Sequence, residues 1–221
     1  MPEKQLVWDI WVRLGHWALA IGVGLQFLTG GELAWQATHA SLGLLILGWV
    51  LFRVLWGLFG PASARFATFV PRTFAGLRLS LAALAGGTPE RPASHTQLGG
   101  LGVIILLAIL GLVALTGAAS SDDIFFEGPL ARYLSSDLVS LATSAHHWLT
   151  TVLLVLIGLH LAAVAWHQWR LREPLIQGMW HGRKPVYSAD PLAAPTGPRL
   201  WIRGFTLLLC CLLGTWLALG A

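Results

Sequence analysis

The chain has 221 residues, of which 56% are hydrophobic, only 11% are charged and twelve are tryptophan, and its mean hydropathy is +0.69. That balance excludes a soluble globular domain, in which about a quarter of the residues carry charge. The formal charge of +4 and the pI near 9.7 trace to arginines and lysines at the edges of apolar stretches, so they speak for a membrane and against a nucleic-acid partner.

Five stretches are long and apolar enough to span a hydrocarbon core about 30 Å thick. The first, Ile10–Gly30, follows Lys4 and contains Arg13 and His16. It is long for a signal peptide and lacks a convincing small-residue cleavage site, so it is read as retained. The second, His39–Phe59, opens on a histidine and carries Arg53 near its other end. Arg65, Arg72, Arg78, Arg91 and His95 follow, and Arg72–Ala85 is expected to form an amphipathic helix on the membrane surface with Arg72 and Arg78 toward phosphates. The third span is Leu98–Ala118. After it comes an acidic connection, Ser120–Asp137, whose one basic residue is Arg132.

The fourth span, His146–Trp169, holds His160 and ends near His167 and Arg170. The Pro-rich run Pro185–Pro198 reads as a linker to an accessory fifth span, Leu200–Leu219. Cys210 and Cys211 are adjacent in that last span, where they offer neither a structural disulfide nor the spaced ligands of a zinc site, and they read as packing residues. Trp8, Trp11, Trp35, Trp56, Trp148, Trp169 and Trp201 stand near span ends, as interfacial belts require.

Thirteen of the fourteen basic residues fall on one side of this topology, which predicts a cytoplasmic N-terminus. The outer side carries Glu32, Asp122, Asp123, Glu127 and Asp137.

Ionisable groups inside a bilayer are rare and mark function. His146 and His160 are fourteen residues apart, which places both on one helix face, about 21 Å apart along the axis. His147 is turned roughly 140° off that face. By depth, His39 pairs with His146 at the outer level, and His16 pairs with His160 at the inner level. Each pair joins the fourth span to a different partner helix, the arrangement that clamps a flat macrocycle edge-on within a helix bundle. Two imidazoles fill both axial positions of a haem iron, which favours electron transfer over binding of a substrate at the metal.

Small residues near these ligands, Gly15, Gly43 and Gly158, suit either haem clearance or ordinary helix packing. Arg13 lies three residues before His16, and Arg53 shares the face of His39 at the inner level, where it would neutralise a haem propionate or snorkel to lipid phosphates. His167 reads as interfacial, and His95 and His181 as solvated. The competing reading of the four central histidines is a set of polar residues holding helices together.

No Gly-rich phosphate loop, CxxCH or HExxH is present, and the spans carry no carboxylates, which argues against nucleotide chemistry, covalent haem, a zincin and a di-iron site.

Val7-Trp8-Asp9, Val12-Arg13-Leu14-Gly15-His16-Trp17, Leu51-Phe52-Arg53-Val54-Leu55-Trp56-Gly57, Phe126-Glu127-Gly128-Pro129-Leu130, His146-His147-Trp148 and Gly182-Arg183-Lys184-Pro185, in that order, resemble the bacterial cytochrome b561 family, itself related to the cytochrome b subunits of nickel–iron hydrogenases. The resemblance covers about residues 6–186, leaving 187–199 as linker and 200–221 as the accessory helix. It implies an all-α inner-membrane protein with a four-helix transmembrane bundle holding two b haems, ligated by His16, His39, His146 and His160. It further implies electron exchange between the quinone pool and a periplasmic redox partner such as a cytochrome c.

Three alternatives stay open. A branch of the family resembles superoxide oxidases, which pass electrons from superoxide to quinone, although an outer surface with one arginine and five carboxylates suits an anionic substrate poorly. The second is a membrane anchor for a larger oxidoreductase such as a hydrogenase. The third is a haem-free transporter or scaffold, which predicts a colourless protein.

Overall fold

The computed structural model describes residues 4–70, 73–86, 95–185 and 193–220. Among the described residues the regular structure is helical apart from one short strand pair and an isolated bridge between Ser121 and Glu127. Helices α1 (Ile10–Thr29), α2 (Gln36–Phe59), α3 (Phe74–Ala85), α4 (Gln97–Ala118), α5 (Ser136–Ala165), α6 (Leu175–His181) and α7 (Pro198–Leu219) follow one another, and strand β1 (Lys4–Leu6) pairs antiparallel with β2 (Arg183–Pro185). The end of α5 widens into a π turn over Trp166–Arg170.

Among the described residues, four segments are long and apolar enough to cross a membrane: Leu33–Phe59, Gln97–Ala118, Ser136–Arg170 and Pro198–Leu219. The expected first span forms the 20-residue helix α1, which Arg13, His16, Trp17 and Gln26 make less apolar than those four. The fourth span starts ten residues before the expected boundary, at Ser136, with Asp137 in its first turn, where a carboxylate suits the helix dipole. At 30 residues, α5 is about 45 Å long, so it exceeds the hydrocarbon core and begins outside it. The helix expected over Arg72–Ala85 is α3, while Arg72, Arg91 and residues 187–192 of the expected 187–199 linker lie outside the described residues.

The chain divides into two compact units. The first comprises Met1–Leu14, Val54–Leu106 and Leu156–Trp201. Its organising residue is Asp9, which is fully buried. Asp9 is the N-cap of α1: one carboxylate oxygen accepts from the backbone N–H groups of Trp11 (2.8 Å) and Val12 (3.0 Å), and the other from the Trp56 indole (3.2 Å). Trp11 in turn donates its indole N–H to the Leu200 carbonyl at 3.1 Å and meets the Trp201 ring edge-on. Glu173 bridges His167 Nδ1 (3.0 Å) and Lys184 Nζ (2.7 Å), and Lys184 also lies over the Trp8 ring. Burial alone would raise the Glu173 pKa, but the His167 and Lys184 bonds outweigh it and hold the carboxyl below its ordinary range. His95, expected to be solvated, packs its ring against Phe69 and Trp8 instead.

The second unit comprises Gly15–Arg53, Leu107–Val155 and Ile202–Ala221. It is a helix bundle in which α1 meets α2 at Gly22 and Ile46, and α4 meets α2 at Gly111 and Val50. The accessory helix α7 is seated on α2: a β-carbon at Gly48 would stand 2.8 Å from the Leu212 side chain and 3.2 Å from its Cα. Cys211 is buried in that seat, which accords with a packing role, whereas Cys210 is exposed; both are free thiols.

Candidate functional site

In the second unit, α2 and α5 bring His39 and His146 close together edge-on, with ring centroids 6.3 Å apart and ring planes at 88°. A bond from imidazole to a transition metal is about 2 Å, so two of them in line, with half a ring at each end, give a centroid separation of about 6 Å. The centroid separation therefore fits one metal ion held between the two rings.

The second nitrogen of each ring decides whether the first can ligate. His146 Nδ1 lies 2.9 Å from the Val113 carbonyl oxygen, which only accepts, so Nδ1 carries the proton. His39 Nδ1 lies 3.3 Å from Thr29 Oγ1. That hydroxyl gives its own proton to the Leu25 carbonyl at 2.8 Å, and so accepts from His39. Both rings are thereby fixed as the tautomer with a free lone pair on Nε2, the form that binds a metal. Among the described residues no group of three or more His, Cys, Asp or Glu side chains gathers to hold an ion. Two imidazoles alone suit a metal that arrives with its own in-plane ligands, as the iron of a haem does.

His146 reaches its position because glycine stands where a side chain would block it. A β-carbon at Gly117 would be 2.9 Å from Cε1 and 3.0 Å from Nδ1 of His146. One at Gly30 would be an ordinary 3.4 Å from Cε1 of His39, so that ring needs no such gap. Thr29, Val113 and Gly117 were not legible as site residues. Gly117 is one of 25 glycines, and a backbone carbonyl has no signature in a sequence.

The other expected site residues take the following places. His16, in the second unit, is half-buried and meets Trp17 edge-on at 5.1 Å. His160, in the first, is exposed on α5, two residues from Gly158, over which nothing stands within 4 Å. Gly15 and Gly43 are packing glycines, against Trp49 and Gln26 respectively. Arg13 donates from Nη1 to the Trp180 carbonyl at 2.8 Å, while its buried Nε has no hydrogen-bond partner among the described residues. Arg53 is buried on α2. His147 is exposed, its ring 5.9 Å from that of His146.

No curated protein and no solved structure matches the chain. The family model described as prokaryotic cytochrome b561 matches residues 7–182, a stretch that begins two residues before Asp9 and includes all four central histidines. With apolar helices that cross a membrane and an imidazole pair of this spacing and tautomer, the match makes the chain a haem-binding, electron-transferring membrane cytochrome of the prokaryotic cytochrome b561 family.

Proposed function

We propose that the chain carries electrons across the bacterial inner membrane through two b haems, between the quinone pool and a periplasmic redox partner such as a cytochrome c. His39 and His146 hold the outer haem, and His16 and His160 the inner one. The observation that carries this reading is the His39–His146 pair, at 6.3 Å and 88°, with both Nδ1 atoms committed elsewhere. When bound, haem b would supply one-electron iron redox chemistry. The protein's part is placement: Thr29 and the Val113 carbonyl orient the ligands, and the lipid-facing helices exclude water. Arg53 and the free Nε of Arg13 are assigned to the haem propionates.

The cytoplasmic placement of the N-terminus rests on the distribution of arginine and lysine. An outer loop with Asp122, Asp123 and Glu127 exposed or half-buried favours a basic soluble partner over an anionic substrate such as superoxide.

The deciding experiment is a reduced-minus-oxidised visible spectrum of the purified protein, with pyridine haemochrome used to count haem. Two low-spin b haems per chain are expected. A folded, haem-supplied preparation without haem overturns the reading.

A further inference from the structure

The connection between α4 and α5 ties together the two helices that carry His39 and His146. Asp122 is its knot. Asp122 Oδ1 accepts from the backbone N–H groups of Ile124 (3.0 Å), Phe125 (2.8 Å) and Phe126 (2.7 Å), which closes the turn. Asp122 Oδ2 accepts from Gln36 Nε2 at 3.0 Å, and Gln36 is on α2. The preceding residue makes the other tie: Ser121 N donates to Thr143 Oγ1 at 3.2 Å, and Thr143 is on α5.

The register of these ties is what gives them a role. Gln36 precedes His39 by three residues and Thr143 precedes His146 by three. Each anchor is therefore within one helical turn of a ligand, about 4.5 Å along its axis. In lipid no hydrophobic force holds two helices at one separation, so interhelical polar bonds and close packing must set it.

We propose that Asp122 and Thr143 are positioning residues for the outer haem, fixing the spacing and mutual angle of the His39 and His146 rings through a loop that touches neither ring. This inference rests on the assignment of His39 and His146 as axial ligands. Asp122 has a second effect through its charge. Its bonds from Gln36, Phe126, Ile124 and Phe125 hold the carboxyl well below the ordinary carboxylate range, so it stays ionised on the outer side.

The test uses the full-length, haem-loaded protein and two readouts: the low-spin electron paramagnetic resonance line shape, which reports the angle between axial imidazole planes, and the midpoint potential from a redox titration. Asp122→Ala and Thr143→Val are expected to change the line shape of the outer haem and leave that of the inner haem unaltered. Asp122→Asn keeps an oxygen for the three backbone donors, and a flipped Gln36 amide still bonds it. It is expected to keep the line shape while raising the outer midpoint potential, because a nearby negative charge that favours ferric iron is gone. If Asp122→Ala does not accumulate, Gln36→Leu removes only the tie to α2 and is expected to change the line shape in its place. Wild-type line shapes in both Thr143→Val and whichever of Asp122→Ala and Gln36→Leu accumulates overturn the proposal, as does an Asp122→Asn spectrum altered like that of Asp122→Ala. A wild-type outer signal in His146→Ala is a different failure, that of the ligand assignment itself.

Discussion

His146 lies across Gly117, its ring carbon Cε1 only 2.9 Å from where a β-carbon on that glycine would be. The ring passes through this gap to reach the Val113 carbonyl, one turn back on α4. Gly117→Ala should displace the imidazole and lose the outer haem, so the haemochrome count should fall from two per chain to one. Gly111→Ala is the control. Its β-carbon would meet Val50 at an ordinary 3.5 Å, and both haems should remain.

Alanine at the proposed ligands should separate the two proposed haems. His39→Ala and His146→Ala should each remove the outer haem, His16→Ala and His160→Ala the inner one. His147→Ala should keep both, because His147 is exposed and off the ligand face. Loss of haem in His147→Ala with retention in His146→Ala would reverse the assignment.

Asp9 is fully buried and serves three donors at once. Asp9→Ala removes the cap of α1 and the acceptor of the Trp56 indole, at a cost of roughly 2–4 kcal/mol. Thermal unfolding in detergent should show a drop of several degrees. Asp9→Asn retains an acceptor oxygen and should recover part of it.

Glu173 gives stability a pH dependence. Its folded pKa lies below the ordinary value, so its contribution is present above about pH 4.3 and is lost as pH falls through the lower folded pKa. The wild-type unfolding temperature should fall on acidification through that window, whereas Glu173→Gln should be flatter there. At neutral pH Glu173→Gln should already be less stable by about 3 kcal/mol, because Lys184 is left buried without its counter-charge. An unchanged unfolding temperature at pH 7 would sink this account.

Much of the architecture was legible because lipid enforces simple rules. Spans declare themselves by apolar length, and a histidine within one stands out against leucine and valine. What escaped has physical reasons too. Ser136–Ala145 mixes Ser, Thr and Asp with leucines, so it lacks the apolar run of a span, yet it forms the first ten residues of α5. The surroundings of the proposed ligand pair, a threonine, a carbonyl and a glycine, are residue types too common to stand out. His95 read as solvated because its neighbours in sequence are polar, while its neighbours in space, Phe69 and Trp8, are distant in the chain. The separation of α2 from α5 is set by Asp122, Gln36 and Thr143, which no period or spacing links.

The pairing of β1 with β2 bears on how the protein is made. The family match runs from residue 7 to residue 182, and the Val7 N–H donates to the Gly182 carbonyl at 2.8 Å. The module's two ends are thus fastened to each other. On a ribosome the N-terminal segment emerges first and must wait for nearly the whole module before its partner strand exists. This fastening therefore cannot form until the helices between the two strands have been synthesised. A truncation before Gly182 would leave the first residues without their partner, whereas α7, which follows the fastening, is an addition that the closed module precedes.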